Sequence, residues 1–239
     1  MTPTPEPGDG WVYEDIVSAV PGVSVAPGQA IAVQFVGFET VVLVLAWIYE
    51  LPAAALAGTA AVVVASAGSA AMVAIGTTVR GAGADLSYRR LLFGSNVEVV
   101  LGVLSYAALT TYLVVGTGGV DPGFLERVLG PDPPVPAVFV AFVLAWDVCY
   151  RIGVGWWASL VGCWRSLRTE FTASDAAAYR RADLLTVGFA AVQLVIVPVI
   201  AGEAVLSLAV LGHVAAVGLV SGVSLLALER RKISPPGSA

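Results

Sequence analysis

Four side chains carry charge where the surrounding sequence is apolar. Glu39 lies in VGFETVVL, Glu98 in NVEVVLGVL, and Asp147 with Arg151 in LAWDVCYRIGV. Carboxylates and guanidinium groups can hold ions, pass protons or neutralise one another. Asp147 and Arg151 are four residues apart, so a helix places them on one face within reach of an ion pair. Glu98 falls at a depth similar to Arg151, and a Glu98–Arg151–Asp147 cluster is expected. Glu39 has no basic residue at its depth. It is expected to be uncharged or to border a wet cavity. Among the neutral polar residues, Gln34, Asn96 and Gln193 read as hydrogen-bond partners between helices. His213 reads most simply as bonded to a neighbouring carbonyl. Gln34, Gln193 and His213 could also line a polar path or relay protons.

These residues need elements to position them, and composition says which. The chain has 239 residues, of which 58% are hydrophobic and 12% charged. Soluble domains carry about 25% charged residues, so too few charges exist here to cover a soluble surface. The apolar residues come in blocks long enough to cross a hydrocarbon layer of about 30 Å. The expected fold is an all-α, polytopic membrane bundle of six spanning helices, near 30–49, 51–79, 91–115, 136–164, 182–202 and 205–229. Residues 1–28 form a polar, proline-rich tail, in which WVYEDIVSAV could lie on the membrane with Trp11 and Tyr13 at headgroup level. The membrane domain covers 29–230, and 231–239 is a short tail.

Arginine placement sets the expected orientation. Arg80, Arg89 and Arg90 flank the second connection, and Arg165, Arg168, Arg180 and Arg181 flank the fourth. Arg230, Arg231 and Lys232 follow the sixth span. With six spans all three groups share one side, whereas the other side has only Arg127. The positive-inside rule then puts both termini in the cytoplasm of a cell-membrane protein. Of the 12 basic residues only Lys232 is a lysine, against 17 acidic ones. Such acid-rich, lysine-poor composition is typical of salt-loving archaea.

DLSYRR and DAAAYRR precede the third and fifth spans. Each puts an acid near a helix start, where the dipole favours it. Tyr88, Arg89, Arg90, Tyr179, Arg180 and Arg181 are expected to anchor at the lipid headgroups. Trp156, Trp157 and Trp164 read as an aromatic belt. The small residues of the second span place it centrally, and GLVSG offers Gly218 and Gly222 as a packing contact. Pro198 suggests a kink in the fifth span.

No spanning segment contains lysine, which excludes a retinal Schiff base of the microbial rhodopsin type. One histidine cannot supply bis-histidine haem ligation, and neither HExxH nor GxxxxGK[ST] occurs. Cys149 and Cys163 read as small core residues. No catalytic set, metal, cofactor or nucleic-acid partner is expected. The expected partners are membrane lipids, a second copy or another membrane protein. Two functions fit. In a small ion or solute transporter, Glu39, Glu98, Asp147 and Arg151 would line a polar path. In a scaffold or assembly subunit, the same charges would only fix helix packing.

Overall fold

The computed structural model describes residues 11, 26–82, 84–115 and 123–230. Every element among them is helical. They are α1 (Pro27–Ile48), α2 (Pro52–Gly81), α3 (Leu86–Phe93), α4 (Val97–Val115), α5 (Phe124–Leu129), α6 (Val135–Arg168), α7 (Ala173–Val192), a 3-10 turn (Gln193–Ile196) and α8 (Ala204–Arg230). The proposed tail helix, apart from Trp11, and the tail at 231–239 lie outside the described residues.

Five helical segments are long and apolar enough to cross a membrane: α1, α2, the α3–α4 path, α6 and α8. Their outer faces suit lipid. Val33, Trp47, Val114, Val135 and Leu208 are each at least 70% exposed, and water-soluble monomers rarely leave apolar surface so widely bare.

Two expected spans take a different form. The third does not run unbroken from residue 91. It starts at Val97, after α3 ends on Gly94 and the chain turns through Asn96 at φ 54°. Asparagine tolerates this left-handed conformation, which would strain most side chains. The fifth does not occupy 182–202. Here α7 begins at Ala173 and stops at Val192, and a 3-10 turn follows. Pro198 accounts for the early stop. It has no N–H to give, and its ring crowds the carbonyl four residues back. The start of α7 is capped as its sequence suggests. Thr172 Oγ1 accepts from the Asp175 amide, and the Asp175 carboxylate accepts from the Thr172 amide.

The α1–α2 hairpin closes in a Schellman turn. Leu51 N–H reaches Ala46 O at 2.8 Å, with Glu50 left-handed at φ 55° between them. Pro52 then opens α2 with a preset φ.

The small-residue helix α2 is central, as expected, and so is α6. Their glycines allow the close approaches. A Cβ on Gly153 of α6 would meet the Glu98 carbonyl oxygen at 2.7 Å and the Gly102 nitrogen at 2.8 Å, both on α4. A Cβ on Gly58 of α2 would strike Val42 of α1 at 2.5 Å. By contrast, Gly218 and Gly222 have open space where a Cβ would stand, so they make no packing contact. The buried face of α8 carries His213, Val217, Ser221, Ser224 and Leu228 instead. Trp11, expected at headgroup level, packs inside the fold. It is fully buried, edge-on against Phe93 with ring centroids 5.0 Å apart.

Candidate functional site

The ion pair within α6 forms as its spacing requires. Arg151 Nη2 donates to Asp147 Oδ1 at 2.8 Å, and Arg151 is fully buried. Two other helices complete it. Gln34 of α1 donates from Nε2 to Asp147 Oδ2 at 2.9 Å, and Ser69 of α2 donates to Gln34 Oε1 at 2.9 Å. Arg151 Nη1 points at the Met72 sulfur, 3.4 Å away. The arginine stem crosses α2 at Gly68, where a Cβ would come within 2.3 Å of Arg151 Cδ. One arginine thus ties α1, α2 and α6 together.

Glu98 does not join this cluster. It is buried in the first turn of α4, and neither carboxylate oxygen has a hydrogen-bond partner among the described residues. The reason is angular. Glu98 packs where α4 crosses Gly153, two residues beyond Arg151, and two residues turn a helix by about 200°. Depth along the membrane was similar, but the face of α6 was opposite. Glu39 is half-buried and accepts from Thr59 of α2 at 2.7 Å. Its other carboxylate oxygen has no partner among the described residues.

The tyrosines expected at the headgroups are inside. Tyr88 and Tyr179 are each 2% exposed and meet edge-on, with centroids 5.6 Å apart. Between them lies the guanidinium of Arg165, 5.1 Å from the Tyr88 ring and 4.2 Å from the Tyr179 ring. Arg165 pairs with Asp183 of α7 at 2.9 Å, and Ser224 of α8 donates to the same Asp183 oxygen at 2.7 Å. The DLSYRR and DAAAYRR repeats therefore aim two aromatic faces at one buried cation. Their arginines differ. Arg90, Arg180 and Arg181 are exposed and Arg89 is half-buried. Trp157, read as a belt residue, is half-buried, and its Nε1 donates to Leu91 O at 3.0 Å, which fixes α3 on α6.

At the opposite end of the bundle lies a cavity of about 530 Å³. The walls come from α1, α2, α4, α6, α8 and the 3-10 turn, and α5 covers one side through Phe124, Leu125, Val128 and Leu129. Among the described residues no charged side chain lines it. Its lining includes Gln193 and His213, which are 1% and 8% exposed. Neither amide atom of Gln193 and neither ring nitrogen of His213 has a hydrogen-bond partner among the described residues. The expected carbonyl partner of His213 is thus absent from them. Its ring instead meets Trp156 edge-on, with centroids 5.7 Å apart. Gln34, grouped with these two by residue type, sits apart in the Asp147 network.

Beside the cavity, Glu203 accepts from Tyr112 and pairs with Arg127 of α5. These bonds, the tyrosine's first, hold the Glu203 carboxyl below its usual range. Tyr112 also lines the cavity, so the latch on α5 touches the chamber it closes. Sequence reading missed this latch and also missed Asp183, Ser69 and Thr59. An acid in the α7–α8 connection and a lone arginine in the loop that faces it were the available signal.

Long apolar helices, lipid-suited outer faces and ion pairs turned inward define a helical membrane protein. Within that class, the chain belongs to a family of unknown function, DUF7530, whose model matches residues 6–224. No curated protein and no solved structure matches it.

Proposed function

We propose that the protein is a small-solute transporter of the cell membrane, and that its solute is neutral and mostly apolar. The observation that carries this reading is the cavity lining, which holds no charged side chain among the described residues. An ion entering it would lose its hydration without a counter-charge, at a cost of several kcal/mol or more. Glu39, Glu98, Asp147 and Arg151 all lie outside the lining. Their role in this reading is to set helix packing.

The segment from α7 through the 3-10 turn is taken as a sixth, shortened crossing, sheltered among α2, α6 and α8. Both termini then share the arginine-rich side, which the positive-inside rule assigns to the cytoplasm. The cavity and α5 fall in the outer half.

In proteoliposomes, a fluorescent neutral lipid is expected to change leaflets faster than in protein-free vesicles. Proton and sodium flux should stay at background for both the parent and Glu39→Gln. Ion flux that Glu39→Gln abolishes would overturn the reading. A second reading, a packing scaffold, is favoured by the buried ion pairs of Arg165 with Asp183 and of Arg151 with Asp147. It gains ground if neither lipid nor ion moves.

A further inference from the structure

We infer that the cavity takes a lipid alcohol, with its apolar body in the chamber and its hydroxyl bonded to Gln193 and His213. This rests on the reading of the cavity as the solute site and adds the chemistry that would be selected there. Buried polar atoms normally have partners, and leaving them without one costs about 1–3 kcal/mol each. Gln193 and His213 are more than nine-tenths buried, come from different elements and line the same chamber with their polar atoms unpartnered among the described residues. Two such residues, in a wall whose other polar side chains are Ser105 and Tyr112, amount to a recognition pair.

The donor and acceptor inventory narrows the ligand. An amide offers both donors and an acceptor, and neutral imidazole offers one of each. A hydroxyl, which donates once and accepts, can satisfy both residues. A ketone can accept from both residues but has no donor for the Gln193 oxygen or the acceptor nitrogen of His213. A carboxylate or ammonium would find no counter-charge among the described residues of the lining. An alkane would leave every polar atom bare. The volume of about 530 Å³ falls within the roughly 300–1,000 Å³ usual for small-molecule sites.

The route in is set by α5, whose apolar side chains face the chamber while Arg127 is held outside by Glu203. A lipid alcohol entering from the surrounding leaflet meets mostly apolar groups, Ser105 and Tyr112 aside, on the way to Trp156 and the polar pair.

The test is photolabelling of the full chain in liposomes with a long-chain alkanol bearing a mid-chain diazirine, beside the matching alkane. Cross-links are mapped by mass spectrometry. The alkanol is expected to label cavity peptides about tenfold more efficiently than the alkane, a ratio equivalent to about 1.4 kcal/mol. Gln193→Met combined with His213→Phe should abolish that preference while leaving alkane labelling at the parent level, which also shows that the variant folds. Equal labelling by alkanol and alkane in the parent would overturn the inference and leave the apolar-solute reading standing. Absence of cavity labelling by either probe would overturn both.

Discussion

The two ends of the bundle solve the problem of buried polarity in opposite ways. At the arginine-rich end, Arg165 is enclosed by Asp183, Ser166, Ser224 and two tyrosine rings, and the helices close tightly around it. A Cβ on Gly162 would already touch an Asp183 oxygen at 2.7 Å. At the α5 end, Gln193 and His213 are as dry, yet the described residues offer them nothing to bond, and a chamber stands beside them. The first arrangement holds helices in place. The second leaves bonding capacity for something that arrives. Burial alone therefore does not distinguish Arg165 from the Gln193–His213 pair, whereas the state of their hydrogen bonds does.

Asp183→Leu should expose this contrast most severely. It strands the Arg165 charge in a dry interior, and losing one partner of a buried pair costs about 3–5 kcal/mol. The measurement is unfolding in mixed micelles. The double replacement Gln193→Met and His213→Phe should behave in the opposite way, keeping or raising the midpoint, because it removes polar atoms that lack partners. If both changes destabilise alike, the two ends are not different in kind.

Gly153→Ala comes next, at about 1–3 kcal/mol of overpacking. Its new methyl meets α4 backbone, which cannot rotate away as a side chain would. The same change at Gly218 should be nearly silent in that assay.

Glu203→Gln should have the smallest effect on stability, below about 1 kcal/mol, since Arg127 is partly exposed and such pairs contribute little. Its effect should appear as faster entry of the alkanol probe. Acid should act in the same direction. The folded-state pKa of Glu203 lies below the ordinary value of 4.5. The stabilisation is therefore complete above 4.5 and is lost as pH falls through the folded value. Probe entry should quicken over that acid range and stay flat above it.

Parts of this picture were legible in residue order. Four-residue spacing paired Asp147 with Arg151, the small side chains of α2 marked a central helix, and Thr172–Asp175 announced a cap. What sequence does not carry is azimuth. Tyr88 beside Arg89 looks the same whether the ring meets lipid or a guanidinium from another helix. Glu98 and Arg151 matched in depth and still pointed to opposite flanks of α6. Glycine spacing misled for a related reason: GLVSG resembles a contact, while Gly68, Gly102 and Gly153, which make close contacts, stand in no such pattern. The cavity was least legible of all, because it belongs to six walls jointly and to no single stretch of chain.

The bond from Gln34 to Asp147 joins residues 113 apart in the chain. During synthesis the first helical hairpin enters the bilayer long before α6 exists. Until then Gln34 and Ser69 can bond to each other but not to Asp147. Arg151, for its part, needs Gly68 already in place for its stem to lie across. Assembly is thus ordered by the chemistry of the network: the hairpin waits beside the insertion site, and α6 docks on it as it arrives. A chain halted before residue 147 should yield a hairpin that wanders, and a chain halted after 151 one that stays.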